Sequence, residues 1–157
     1  MNLYLIFIGK TAFADLETGV NRYLDRLRHY IPTRIHIVKE ERVPPRGAAA
    51  HHVKEKEAEK ILRLVAKKDC LVIWDQTGKD IDSVALAELL EERRTGGTSR
   101  MWMVIGGPLG VSQTLLLRAD FVLSLSRMTF PHDLARLMVM EQLYRAFTIL
   151  KGEAYHK

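Results

Sequence analysis

One cysteine in 157 residues excludes an internal disulfide. Cys70 stands in the apolar run CLVIW, which suits a small buried hydrophobe better than a reactive thiol and points to a reducing, cytoplasmic location. Long hydrophobic runs are also missing. The N-terminal MNLYLIFIGK has only the apolar stretch Leu3 to Ile8 before Gly9, with no basic residues ahead of it. That is too short for a signal-peptide core or a membrane span, and it reads as a buried first strand. No internal repeat, low-complexity stretch or linker divides the chain, so one domain over residues 1–157 is expected. VPPRGAAA (43–50) is the clear Pro/Gly break, and a surface loop explains it. Metal-ligand spacing is absent too. His51 and His52 are adjacent, so a helix would point them to different faces, and no Cys/His spacing matches a zinc site.

What is present is an ordinary globular composition, 47% hydrophobic and 27% charged, with enough chain for one sizeable core. The net charge of +5 is unevenly spread. Residues 22–68 hold 13 basic and 6 acidic side chains, a local +7 that leaves −2 for the remainder. Such an excess suits an anionic partner such as nucleic acid. It equally suits a solvated helix face, because Lys54, Glu55, Lys56, Glu57, Glu59 and Lys60 alternate in sign.

Five β-prone runs stand out: Leu3–Ile8, Arg34–Val38, Leu71–Trp74, Met101–Ile105 and Phe121–Leu125. Helical periodicity falls near 13–30, 49–67, 82–94, 112–118 and 132–150. In the first of these, Phe13, Leu16, Val20, Tyr23, Leu24, Leu27 and Tyr30 recur at three and four residues. Alternating strands and helices, with nearly continuous apolar strands, predict an α/β fold on a mostly parallel sheet. Ligands of such sheets bind beyond the carboxyl ends of the strands. Three loops follow strand ends here: 75–79, 106–110 and 126–131. If their strands are neighbours, they form one pocket.

The loops differ in what they offer. IGGPLG (105–110) has glycines that would let backbone approach a ligand, but it lacks the GxGxxG spacing and the Lys-Ser/Thr of a P-loop. A tight strand-to-helix turn explains it as well. WDQTGKD (74–80) brings Asp75 and Asp80 near Lys79, fit for acid/base work or for a turn with a helix start at Asp80 or Asp82. SRMTFPHDLAR (126–136) is the richest. Ser126 and Thr129 carry side-chain oxygens, Met128 and Phe130 could wall a flat heterocycle, and Pro131 is preorganised for a first helical turn. His132 and Arg136 are four apart, which puts them on one helical face aimed at the loop. The helix that follows is apolar on more than one face. One face covers the sheet, and a second copy of the chain is the expected partner of the other.

VIGGPLG, LSLSRMTFPHDLAR, EQLYRAFTI and the closing GEAYHK, with LIFIGK, VKEKEAEKIL and QTGK earlier, resemble the SPOUT-class ribosomal RNA large subunit methyltransferase H family. The resemblance implies methylation of N3 of a pseudouridine in 23S rRNA with S-adenosylmethionine as donor. It also implies a homodimer packed through C-terminal helices, and a trefoil knot over roughly 71–157 that forms the cofactor pocket. Knots are rare in protein topology. Matched by motif, the implied cofactor contacts are Trp74, Gly106, Leu125, Ser126, Arg127, Met128, Thr129 and Phe130.

Methyl transfer from a sulfonium is an in-line displacement, so it needs near-attack geometry and help with the N3 proton, and no metal. His156 is the first candidate base because a C-terminal tail can close over a substrate, and His132 is the second. Arg136 or Arg145 could stabilise the developing imide anion, although Glu141 four residues before Arg145 also fits a plain helix ion pair. Tyr155 could stack on the base, leaving Lys157 and the 22–68 region to hold phosphates. Two rivals remain at this level: a non-catalytic RNA-binding protein, and a dinucleotide enzyme built on IGGPLG. Neither accounts for the C-terminal block.

Overall fold

The computed structural model describes residues 1–41 and 50–155. Most of the VPPRGAAA loop and the His156-Lys157 end lie outside them. In chain order the elements are β1 (Asn2–Ile8), α1 (Ala14–Arg28), β2 (Thr33–Val38), α2 (Ala50–Leu64) and β3 (Cys70–Asp80). There follow α3 (Ser83–Thr95), β4 (Arg100–Ile105), α4 (Gln113–Arg118), β5 (Phe121–Ser124) and α5 (His132–Leu150). The five strands form one parallel sheet in the order β2-β1-β4-β3-β5. This is the α/β architecture that the alternating pattern predicts.

Strand alternation assigns each inner side chain to one of two cores. Leu3, Leu5, Phe7, Val72, Trp74, Met101, Met103 and Ile105 face one way, against residues of α1, α3 and α5. Ile6, Ile8, Leu71, Ile73, Trp102 and Val104 face the other, under α2 and α4. Both faces are covered, which is why the strands read as unbroken apolar runs. Within α5, every residue from His132 to Leu150 is buried or half-buried. The helix lies between α1 and α3, and that placement accounts for much of its all-round apolarity.

One boundary departs from expectation. β3 runs on through Asp80, taking in the segment read from sequence as the loop 75–79. Leu123 in β5 is paired with Trp74 and again with Lys79. The intervening turn is fixed by Asp75, whose Oδ1 accepts from the Thr77 N–H at 2.9 Å and from its hydroxyl at 2.7 Å. Gly78 then lies directly on the β5 backbone: a Cβ there would stand 2.6 Å from the Leu123 carbonyl carbon. Only glycine permits that crossing. Sequence periodicity carries no trace of it, because the contact is between backbones distant in sequence.

Candidate active site

Because β4, β3 and β5 are neighbours, the loops at their carboxyl ends converge as anticipated. They enclose a cleft of about 520 Å³ lined from β3 by Trp74, Asp75 and Gln76, and from β4 by residues 105–110. Its remaining wall is Leu125, Ser126, residues 128–132 and Ala135. Glycine shapes the floor. A Cβ at Gly106 would press to 3.2 Å on Gly110 and Val111, and one at Gly107 to 3.2 Å on Ile8. The strand-to-helix turn and the close approach of backbone to the cleft are therefore one feature. α4 starts at once after it, with Ser112 capping through its side chain to the Leu115 N–H at 3.1 Å.

The loop from β5 to α5 is shaped by its own hydroxyls. The Ser124 hydroxyl donates to the Ser126 carbonyl (2.9 Å) and accepts from the Ser126 N–H (3.2 Å). The Ser126 hydroxyl accepts from the Met128 N–H at 3.0 Å. Those oxygens fix the local turns of the loop. Seven of the eight residues expected to contact a cofactor line the cleft: Trp74, Gly106, Leu125, Ser126, Met128, Thr129 and Phe130. Arg127 does not. Its side chain is 91% exposed and pairs with Asp80 at 3.4 Å outside the cleft.

The expected catalytic set is dispersed. His132 lines the cleft. Arg136, expected to share its face and reach the same loop, is completely buried. Its guanidinium donates to Asp133 Oδ1 at 2.9 Å, to the Thr11 hydroxyl at 3.1 Å and to the Ile8 carbonyl. Burial pulls its pKa below the usual guanidinium value, against Asp133 and Glu40. Arg136 thus ties α5 to the end of β1 and does not line the cleft. The helical spacing holds, but spacing does not say which side of the face meets protein. Asp133, missed in sequence, is the hub. It accepts from Arg136 and from the Ala12 N–H at 2.7 Å, and its Oδ1 stands 3.2 Å from His132 Nε2. Its signal is the Asp-x-x-Arg spacing inside the motif already singled out.

Arg145 makes the helix ion pair, with Nη2 2.6 Å from Glu141 Oε1. The hydrogen bond to Glu141 raises its pKa. Tyr155 joins it rather than the cleft. Its hydroxyl donates to Glu141 at 3.1 Å and stands 3.3 Å from the Tyr23 hydroxyl, with the Arg145 guanidinium 4.8 Å from its ring. Burial, then the bonds to Tyr23 and Glu141, raise the Tyr155 pKa, so this phenol stays protonated at neutral pH. His156, next in sequence, lies outside the described residues. Among the described residues no group of three or more His, Cys, Asp or Glu could hold a metal ion. No helix among them is long and apolar enough to cross a membrane.

The family model described as "Predicted SPOUT methyltransferase" matches residues 1–156. The chain is 59% identical over its full length, and that of the relative, to a ribosomal RNA large subunit methyltransferase H of Syntrophobacter fumaroxidans. It is 42% identical to the protein of that name from Christiangramia forsetii, with 99% of each chain covered, and 40% identical to that of Halothermothrix orenii, with 100% of each covered. The fold is also similar to that of a probable methylase family protein from Haemophilus influenzae Rd KW20, with a TM-score of 0.51 at 13% identity, covering 97% of this chain and 67% of that one. A glycine-floored cleft at the carboxyl ends of three parallel strands and full-length similarity agree: this chain belongs to the SPOUT methyltransferase family, among the proteins named ribosomal RNA large subunit methyltransferase H.

Proposed function

We propose that this methyltransferase moves a methyl group from S-adenosylmethionine to N3 of a pseudouridine in 23S rRNA, and that the whole chain is one SPOUT domain. The observation that carries the reading is the cleft between the β3, β4 and β5 loops. Its volume of about 520 Å³ suits a nucleoside-sized cofactor. Gly106 lets the floor turn close on Gly110 and Val111, where a Cβ would press at 3.2 Å, and Leu125, Phe130 and Ile105 give apolar walls. A bound donor would supply an electrophilic methyl group. Trp74, Gly106, Leu125, Ser126, Met128, Thr129 and Phe130 would hold it, in a loop whose backbone at Ser126 and Met128 is fixed by the Ser124 and Ser126 hydroxyls. The SPOUT reading carries with it a C-terminal segment threaded as a trefoil knot.

The chain's own groups must orient the base, exclude water and take the N3 proton. His132 is at the cleft wall beside Asp133. His156 is the first-choice base, with Tyr155 stacking on the nucleobase. Since Tyr155 is held on the α1/α5 side and does not line its own chain's cleft, the tail of a second copy is the better supplier. A homodimer follows from this reading. An RNA methyltransferase works where rRNA is, and a cytoplasmic location is part of this reading.

Two measurements test the proposal. Labelled S-adenosylmethionine should donate methyl to large subunits or ribosomes lacking the modification, and calorimetry should give saturable cofactor binding. Absence of cofactor heat would remove the cleft assignment. Full activity in a Tyr155→Ala, His156→Ala double variant would remove the tail from the chemistry.

A further inference from the structure

At the end of the sheet opposite the cleft, the amino ends of β3 and β5 border a hollow of about 390 Å³. Lys67, Lys68, Arg93 and Thr98 line it together with Asp69 and Asp120. Both carboxylates are engaged elsewhere. Asp69 takes Arg100 at 3.0 Å, Trp102 Nε1 at 2.9 Å and the Ala66 N–H at 3.1 Å. Asp120 takes the Leu71 N–H at 2.7 Å and stands 3.4 Å from Arg118. The cations are not so engaged. Neither Lys67 nor Lys68 has an ion-pair partner among the described residues, and the carboxylate nearest Arg93 is Glu92 at 3.9 Å.

Arg93 is positioned by packing, and its charge is offset by a long, solvent-exposed pair with Glu92. Its guanidinium lies over the Phe121 ring at 5.4 Å, and its buried Nε has no hydrogen-bond partner. The Thr98 N–H donates to the Arg93 carbonyl at 3.0 Å, which sets the threonine beside the same hollow. A planar guanidinium, two ammonium groups and a hydroxyl around one hollow match a tetrahedral oxyanion better than a flat carboxylate.

We propose that this hollow is an anion site that holds a phosphodiester group of the substrate RNA. The proposal rests on the methyltransferase reading and extends it. Cys70 and Trp74 belong to the same strand, so hollow and cleft are separated by about 13 Å along β3, a span of a few nucleotides. β5 is an edge strand, so the path between them runs beside an unpaired flank of the sheet. A strand whose target base enters the cleft would be steadied by a phosphate held here.

The test uses the full-length protein and a labelled single-stranded RNA oligonucleotide, with affinity measured across a salt series. In a Lys67→Ala, Lys68→Ala, Arg93→Gln variant, affinity should fall roughly tenfold at low salt, and the slope of log affinity against log salt should shrink by about 0.7 for each phosphate no longer neutralised. Lys68→Glu, on an exposed turn, should repeat the direction and guards against a folding defect in the triple variant. Cofactor binding by calorimetry should not change in either, which keeps failure of this site distinct from failure of the cleft assignment. Unchanged RNA affinity and slope in both variants would overturn the proposal. So would saturable amide shifts at Lys68 and Thr98 with inorganic phosphate while RNA binding stays intact, because the hollow would then serve free phosphate.

Discussion

At the residue scale, Asp133 and Arg136 make the sharpest contrast between what a motif suggests and what burial dictates. A guanidinium excluded from water is tolerable only where its charge and donors are met. Asp133, Thr11 and the Ile8 carbonyl take three of its five N–H donors, and the buried Nε has no partner. Arg136→Leu and Asp133→Ala therefore have different consequences. Asp133→Ala leaves the buried cation uncompensated and should cost about 3–5 kcal/mol in urea unfolding. Arg136→Leu with Asp133→Asn removes both charges and should recover a good part of that loss. If Arg136 served the cleft instead, Arg136→Leu would abolish methyl transfer while leaving stability near wild type. Cys70 gives a second outcome at this scale. Burial first, then Asp120, pushes its thiol up to about 11, so it stays protonated at neutral pH. Alkylation of the native protein at pH 8 should be far slower than in denaturant.

Elements are legible to different depths. The strands and helices are readable because burial on both faces of a parallel sheet leaves continuous apolar runs, and each helix turns one stripe inward. The cleft is readable for the same reason: parallel order puts the three loops at one end. What sequence does not reveal depends on contacts between distant segments. The Gly78 crossing, the capture of Arg136 by β1, and the placement of Tyr155 beside Tyr23 and Glu141 all join positions far apart in the chain. Asp69 joins elements in the same way, bridging the α2–β3 turn to Arg100 and Trp102 of β4. Burial raises its pKa, but the bonds from Trp102, Ala66 and Arg100 outweigh that and leave it below the ordinary carboxylate value. Its contribution to stability is thus complete above about pH 4, where the unfolded carboxyl ionises, and is lost as pH falls through the lower folded value. Asp69→Asn should reduce stability by about 1–3 kcal/mol at pH 7. The gap from wild type should narrow below about pH 4 in acid-unfolding curves, and a gap of constant size would contradict the assignment.

At the scale of the whole molecule the question is which chain completes which cleft. Within one chain the loops and His132 line the cleft, while Tyr155 is held against α1 and α5 and lines no part of it. If the tail acts on a partner's cleft, two defective variants should repair each other. Gly106→Val displaces the floor, because even a Cβ there meets Gly110 and Val111 at 3.2 Å and the 106–110 turn must shift, yet it leaves the tail intact. Tyr155→Ala with His156→Ala removes the tail and leaves the cleft intact. Each homodimer should be inactive. Unfolded together and refolded at equal amounts, half the dimers are mixed, and each carries one intact cleft facing one intact tail. Methyl transfer should then return to about a quarter of wild type. If each tail served its own cleft, no mixed dimer would hold a complete site and the mixture would stay inactive. Calorimetry separates the outcomes further: the mixture should bind cofactor at the tail-deficient chain's cleft in both cases, so only turnover discriminates between them.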